Sequence, residues 1–169
     1  MRHMIIVQSC SFIMQCCNKV FKFKWYVMFV TETRITRVQL NLVWDVLMDH
    51  QRWHQWNEKI RKVTCSGSLE KGKRGEVFYR NGSRVRFQVS GFAPGSSYTL
   101  SFRTLLATIH IRRFVGYHNH QTTITNEVWA DGVLSDLWWT LFSSTYIHML
   151  SDELDRFIEM IDVFEPSQF

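Results

Sequence analysis

The sequence lacks the cysteine arrangements that mark disulfide frameworks and redox motifs. It has four cysteines, three of them near the start at Cys10, Cys16 and Cys17 and one at Cys65, and no CxxC pair. Adjacent Cys16 and Cys17 cannot easily bridge one another. The pattern favours a reducing compartment, and we predict a cytoplasmic protein.

Long hydrophobic runs are also missing. The apolar stretches Met4–Val7 and Phe12–Met14 are both interrupted by polar residues. Neither approaches the roughly 20 residues of a transmembrane helix or the core of a secretory signal, so we predict no integral membrane segment. The segment Val7–Cys10 is faintly similar to a lipoprotein box, but the apolar stretch before it is too short.

The excess of positive charge is confined to the start of the chain. The formal net charge is +5 at pH 7. Arg2, Lys19, Lys22 and Lys24 all precede the first acidic residue, Glu32, and the other 16 lysines and arginines nearly balance the 15 acidic residues. A general basic face is therefore not indicated, and we predict no nucleic-acid partner.

The first 24 residues do not fit the pattern of the rest of the chain. The economical interpretation is that Met28 is the native start and that residues 1–24 are an upstream translation or a poorly ordered extension. At 169 residues one domain is the natural count, and we assign it residues 25–165. We place no functional residue in the leader.

The periodicity of the remaining chain predicts the order of its elements. Trp25–Ile35 alternates as a strand, Leu40–Asp49 has helical spacing, and Gln51–Trp56 forms a second short helical turn. Six strands follow without an intervening helix, so the sheet should be antiparallel. They are bounded by turn signals such as Asn81-Gly82 and Ala93-Pro94-Gly95, and they cover Lys59–Cys65, Arg74–Arg80, Arg84–Gly91, Ser97–Arg103, Ala107–Tyr117 and Gln121–Ala130.

A long amphipathic helix, Ser135–Asp162, closes the chain. Its predicted apolar face carries Leu137, Leu141, Leu154, Phe157, Ile158 and Ile161, and its polar face carries Asp152, Glu153, Arg156 and Glu159. The middle is interrupted by Ser143, Ser144, Thr145 and His148. We interpret this interruption as a place where the helix faces a cavity with some polar content.

Residues at the start of the domain resemble a known superfamily. They are Ile35, Val43-Trp44, Val46-Leu47, Asp49, Trp53, Trp56 and Asn57. Together they resemble the opening of the START-like, or SRPBCC, superfamily, which includes polyketide cyclase/dehydrase, Bet v 1-like and coenzyme Q-binding groups. The usual Ala-Pro link is replaced here by Thr36-Arg37-Val38.

The resemblance implies an α+β helix-grip fold. In that fold a curved antiparallel sheet of about seven strands, in the order β-α-α-β6-α, packs around a long C-terminal helix. The same scaffold hosts lipid carriers, cyclases and other functions, so the resemblance does not name one.

A pocket between such a sheet and helix would be largely apolar with a few polar groups. Alternation points Phe87 and Tyr98 toward the concave side, and it leaves Asn126 as a polar residue among apolar ones. A buried amide must bond a neighbour or meet a ligand. The predicted ligand-binding set is Trp56, Tyr79, Phe87, Tyr98, Phe102, Ile111, Asn126, Trp138, Leu141 and Thr145.

Three functions remain open from the sequence. The favoured one is binding of a hydrophobic small molecule of the lipid, isoprenoid or polyketide type. The second is a cyclase or dehydratase that uses a cavity residue as general acid or base, for which the candidates are Tyr79, Tyr98 and His148. The third is a protein-interaction module, in which Arg84, Arg86, Arg103, Arg112 and Arg113 form a basic stripe on the convex face.

No cofactor is predicted. His50 and His54 are four residues apart and could share a helical face, but no third ligand with suitable spacing follows, so we predict no metal site. The sequence contains no Gly-rich phosphate loop and no Ser/His/Asp order in a recognisable context. It does not indicate an oligomeric state.

Overall fold

The computed structural model describes the backbone of residues 4–16, 19–105, 107–132 and 135–163 and most side chains from Val30 onward. Within these ranges the chain forms an α+β domain with one sheet and a long last helix. Its elements are β1 (Met4–Cys16), β2 (Lys19–Thr36), α1 (Leu40–Met48), a 3-10 turn (His50–Arg52), α2 (Trp53–Trp56), β3 (Ile60–Cys65), β4 (Arg74–Tyr79), β5 (Arg84–Ala93), β6 (Ser97–Arg103), β7 (Thr108–His118), β8 (Gln121–Asp131) and α3 (Ser135–Asp162).

The sheet is antiparallel throughout and has the order β1-β2-β8-β7-β6-β5-β4-β3. Its hairpins occur where turn residues predict them. Gly82 and Gly95 have φ values of 85° and 69°, and Asn119 and His120 have φ values of 50° and 60° in the β7–β8 turn. The α+β helix-grip architecture and the long helix Ser135–Asp162 are confirmed.

The described sheet has one strand more than the seven predicted. The additional strand, β1, comes from the segment interpreted as a leader, and it pairs with β2 from Met4 opposite Thr31 to Cys16 opposite Lys19. The first predicted strand, Trp25–Ile35, is therefore the second half of a longer strand that starts at Lys19. The division of the chain into a leader and a domain from residue 25 stays a prediction.

The second half of α3 covers the concave face of the sheet. Leu150, Leu154, Phe157 and Ile161 are all buried, at spacings of four, three and four residues, and α3 packs against β2, β8 and α2. These side chains join α1, α2 and the inward residues of the strands in one core. Of the helices in the described ranges, none has the length and apolarity needed to cross a bilayer.

The predicted apolar face of α3 is wrong in its first half. Leu137 and Leu141 are 49% and 56% exposed. At about 100° per residue, Leu141 and Leu154 lie about 140° apart around the helix axis, so one straight helix cannot bury both against the same sheet. Glu153, predicted on the polar face, is buried instead, because it lies three residues after Leu150 and four before Phe157.

The sheet is tightly packed around Gly75, where β4 lies between β3 and β5. Gly75 lies opposite Phe87, and a Cβ atom at Gly75 would stand 2.4 Å from both the Phe87 ring and the carbonyl oxygen of Thr64. Only glycine allows this approach, since the Thr64 oxygen belongs to the backbone of the neighbouring strand and cannot rotate away.

Replacement of Gly75 by alanine is expected to destabilise the fold by about 1–3 kcal/mol through overpacking. Urea denaturation would measure the loss. Gly116→Ala is the matched control in another strand, because the nearest atom to its Cβ is the Thr123 hydroxyl at 3.0 Å, which can rotate. Equal losses of stability at Gly75 and Gly116 would contradict the close approach of the strands at Gly75.

Candidate functional site

Aromatic rings line the interior between the sheet and the helices. Trp53 of α2 stacks on Tyr98 of β6, with ring centroids 6.1 Å apart and planes at 9°. Trp56 meets Phe157 of α3 edge to face at 5.2 Å, and Phe87 lies 6.4 Å from Trp53. The helices α2 and α3 and the centre of the sheet therefore share one aromatic wall.

A charged side chain lies among these aromatic rings. Arg113 of β7 is only 5% exposed, and its guanidinium carbon lies 4.7 Å from the Trp56 ring centroid and 5.3 Å from that of Trp53. Its Nη1 donates to the Tyr98 hydroxyl at 2.9 Å, and its Nη2 donates to the carboxylate of Glu153. The guanidinium is thus held by cation–π contacts on its faces and by hydrogen bonds at its end.

Glu153 brings α3 into the same cluster. Its carboxylate accepts from Arg113 through Oε1 and from the Asn57 amide through Oε2, the latter at 2.8 Å. The Glu153 side chain is 5% exposed. Both carboxylate oxygens are therefore occupied, and the carboxylate ties together α3, β7 and the residue that follows α2.

The cluster belongs to a row of polar residues across the concave face. Strand register places Glu32 opposite Asn126, Asn126 opposite Arg113, and Arg113 opposite Tyr98. All four are buried, with exposures between 0% and 5%. Because residues directly opposite each other point to the same face, the row runs from β2 through β8 and β7 to β6 beneath α3.

One end of this row has its own ion pair. The Nη1 of Arg34 lies 3.0 Å from the Glu32 carboxylate, and its Nε donates to Asp155 at 2.6 Å. A further bond from Nη2 reaches the Ser151 hydroxyl at 2.8 Å. The hydrogen bond with Arg34 lowers the pKa of Asp155, so this tie between β2 and α3 stays ionised at neutral pH.

Three buried polar atoms of the row and its surroundings have no hydrogen-bond partner in the described part of the chain. They are Asn126 Oδ1, Arg113 Nε and Trp56 Nε1. Asn126 is 1% exposed, and an unpaired amide oxygen at that depth costs about 1–3 kcal/mol. The fold retains one acceptor and two donors that water or a bound molecule would satisfy.

Burial sets the protonation of the central groups. It raises the pKa of the Tyr98 phenol, so that the hydroxyl is protonated at neutral pH. Burial acts to lower the pKa of Arg113, but the negative charge of Glu153 and the bond to Tyr98 outweigh it, and the pKa is raised. The site therefore holds a permanent cation, its carboxylate partner and a neutral phenol.

Open space in the described interior is small near this cluster. A half-open cleft of about 30 Å³ lies between α2 and α3, and it is lined by the buried side chains of Trp56 and Glu153 and by exposed ones such as Glu58, Lys59 and Asp152. That volume suits a water molecule rather than an organic ligand. Beneath the second half of α3, the side chains of Leu150, Leu154, Phe157 and Ile161 are buried in the core.

Most of the predicted ligand-binding residues meet in this interior. Trp56, Phe87, Tyr98, Phe102 and Asn126 are buried there. Tyr79 and Ile111 are half-buried and pack against the core. Leu141 is exposed and does not join them, and the side chains of Trp138 and Thr145 lie outside the described residues. Whether the set contacts a ligand stays a prediction.

Sequence reasoning missed the two central charges. It placed Arg113 on the convex face, whereas the side chain points inward because it has the same parity as Ile109, Ile111 and Val115 along β7. The alternation of side chains along β7 was therefore the only feature of the sequence that indicated an inward Arg113. His148, predicted as an inward acid or base, is exposed. Glu153 could have been found from its spacing to Leu150 and Phe157.

Three other arginines of the predicted stripe pair with acidic residues on the outer face. Arg84 and Arg86 both contact Glu76, and Arg112 contacts Glu127. His54 is exposed and His50 half-buried, and the described residues contain no group of three or more His, Cys, Asp or Glu side chains that could hold a metal ion.

The fold is similar to those of several solved structures. No family model and no curated protein matches the sequence. DynU16, a protein of the dynemicin biosynthetic locus, superposes with a TM-score of 0.65 at 15% identity over 83% of this chain, which spans about half (49%) of the DynU16 chain. Protein MLL2253 from Mesorhizobium loti gives 0.66 at 10% identity over 82% of this chain and 99% of its own.

A third similar structure is Ara h 8.0201 of the Bet v 1 family, with a TM-score of 0.57 at 12% identity over 79% of this chain and 99% of its own. Identities this low establish the fold and leave the function open. The fold of these structures agrees with the element order that was predicted from the sequence, including the short helices that carry Trp44, Trp53 and Trp56. The chain therefore has the helix-grip fold that these structures share.

Proposed function

We propose that the protein binds a hydrophobic small molecule, of the lipid, isoprenoid or polyketide type, between the concave face of the sheet and α3. The observation that carries the proposal is the unpaired amide oxygen of Asn126, which is buried among apolar side chains and next to charged groups that are already paired. A pocket of this kind binds an apolar body and orients it with few polar groups. A bound molecule would give Asn126 the partner that the protein does not supply.

We place the apolar body toward the first half of α3, because Leu150, Leu154, Phe157 and Ile161 of the second half are already buried in the core. Exposed leucines support this placement. Leu105 is 98% exposed in the β6–β7 loop, and Leu137 is 49% exposed near the start of α3. Both lie at the same end of the sheet, because Thr108 pairs with Asp131 shortly before α3 begins. Apolar side chains at that end suit an opening through which an apolar molecule passes.

Binding has better support than catalysis or protein docking. Of the three acid–base candidates, Tyr98 is the only one that is fully buried beside the row, and its hydroxyl already accepts from Arg113 and lies 3.5 Å from the carbonyl oxygen of Leu47. A general acid needs a free path to its substrate. The basic stripe proposed for docking is weakened by the pairing of Arg84, Arg86 and Arg112 with acidic neighbours.

Titration with the neutral dye Nile red is expected to show saturable binding to one site per chain, with a blue-shifted emission. Ala130 points to the concave face of β8 near the opening and is 7% exposed. Ala130→Phe should fill the space and weaken dye binding by about tenfold or more, while the melting temperature shows that the variant is folded.

The matched control is Glu127→Phe, which places the same ring on the outer face of the same strand. It should leave the dissociation constant unchanged. Dye binding that does not saturate, or that both variants alter equally, would rule out the proposed pocket.

A further inference from the structure

The charges of the concave face compensate one another. The buried charged side chains in the described ranges are Glu32, Arg113 and Glu153. Arg113 is paired with Glu153, and Glu32 with Arg34, which Asp155 also contacts. No cation of this group is left to neutralise an incoming anion, and a carboxylate would enter beside two buried carboxylates.

The unpaired atoms require a group that both accepts and donates. Arg113 Nε carries a hydrogen and can only donate, whereas Asn126 Oδ1 can only accept. The two residues face each other on β7 and β8, where the Cβ atoms of opposite residues are about 4.5–5.5 Å apart. A hydroxyl accepts one hydrogen bond and donates another, so a single hydroxyl can satisfy both atoms.

We propose that the ligand carries a neutral hydroxyl group, that this group accepts from Arg113 Nε and donates to Asn126 Oδ1, and that Glu153 excludes anionic ligands by neutralising Arg113. This inference rests on the binding function proposed above. It names the class of ligand as an apolar alcohol or phenol rather than a fatty acid or another carboxylate. Glu153 is then a selectivity residue that acts through Arg113.

The inference predicts a reversal of selectivity in one variant. Glu153→Gln keeps the size and the hydrogen-bonding shape of the side chain but removes its charge. Arg113 would then carry an uncompensated positive charge next to the ligand's polar group. A carboxylate gains a charge-assisted hydrogen bond there, whereas an alcohol gains little.

The test uses three probes with the same ten-carbon chain, namely decanol, decanoate and decyl methyl ether, each in competition with Nile red at pH 7. We expect decanol to displace the dye from the unmodified protein at about tenfold lower concentration than decanoate. Decyl methyl ether should be weaker than decanol, because it accepts a hydrogen bond but cannot donate to Asn126. Glu153→Gln should reverse the order of decanol and decanoate.

Glu127→Gln is the matched control, since it removes the same charge from the outer face of β8. It should leave the order of the probes unchanged. If Glu153→Gln does not fold, Asn126→Leu provides a second variant, in which decanol should lose its advantage over the ether.

The outcomes separate this inference from the function on which it rests. Displacement by decanoate at the same or lower concentration than decanol in the unmodified protein would overturn the hydroxyl assignment and leave the apolar site standing. The same holds for an unchanged probe order in Glu153→Gln. Failure of Nile red itself to bind saturably would overturn both.

Discussion

Replacing Arg113 by methionine is expected to lower the free energy of unfolding by about 3–5 kcal/mol, because the variant leaves Glu153 charged and buried without its cation. Both side chains of the pair are nine-tenths or more buried. The loss would follow from urea denaturation at neutral pH with an unchanged dependence on denaturant concentration. Methionine is shorter than arginine but keeps an unbranched apolar side chain beside Trp53 and Trp56, so the change removes the charge and its hydrogen bonds while retaining part of the packing.

Two controls make this prediction specific. The double variant Arg113→Met, Glu153→Met should recover most of the loss, since two apolar side chains of similar volume replace an ion pair that was costly to desolvate. Arg112→Met removes the neighbouring arginine, which pairs with Glu127 on the outer face, and should cost about 1 kcal/mol or less. A loss below that value for Arg113→Met itself would contradict the buried pair.

Replacing Leu154 by alanine is expected to cost about 2–5 kcal/mol. Leu154 is 2% exposed and lies in the stripe of α3 that faces the sheet. Alanine would leave a cavity against well-packed neighbours, which cannot collapse fully around a helix held on both sides of that position by Leu150 and Phe157. Thermal or urea denaturation measures the effect.

The same substitution at Leu141 is the matched control on the same helix. Leu141 is 56% exposed, and Leu141→Ala should change stability by about 0.5 kcal/mol or less. Comparable losses at the two positions would support the phase predicted from the sequence, in which both leucines share one buried face.

Local signals in the sequence were enough for the order and type of the elements. The Asn81-Gly82 and Ala93-Pro94-Gly95 breaks coincide with turns between strands, and Ser97–Arg103 and Ser135–Asp162 have the predicted bounds. These features depend on residues close together in the chain, because turn residues and the two periodicities act locally. The extra strand β1 could not be predicted in this way, since Met4–Cys16 itself shows no clean alternation.

The charged centre could not be predicted with the same ease. An inward arginine is unfavourable until its partner is known, and Glu153 is separated from Arg113 by 40 residues. Parity along β7 points Arg113 inward, whereas the cost of burying an unpaired charge favours the outer face. The tertiary contact decides between these two effects, and a single sequence does not show it.

The phase of α3 illustrates a second limit. A period of about 3.6 residues is well determined over two or three turns, but a small error accumulates over 28 residues. Leu137 and Leu141 were therefore assigned to the face of Leu154, although the sheet contacts only one stripe of the helix. Periodicity predicted that the helix exists, whereas packing decided which of its leucines are buried.

The bond between Arg113 and Glu153 also limits how the last helix can dock during folding. A purely apolar interface allows a helix to slide by one turn, because one leucine takes the place of another at little cost in free energy. Sliding α3 by about 5.4 Å along its axis would separate the Glu153 carboxylate from both Arg113 and Asn57 and leave it buried without either partner. The pair thus fixes the position of α3 along its axis. It disfavours misdocked arrangements more strongly than it stabilises the native one.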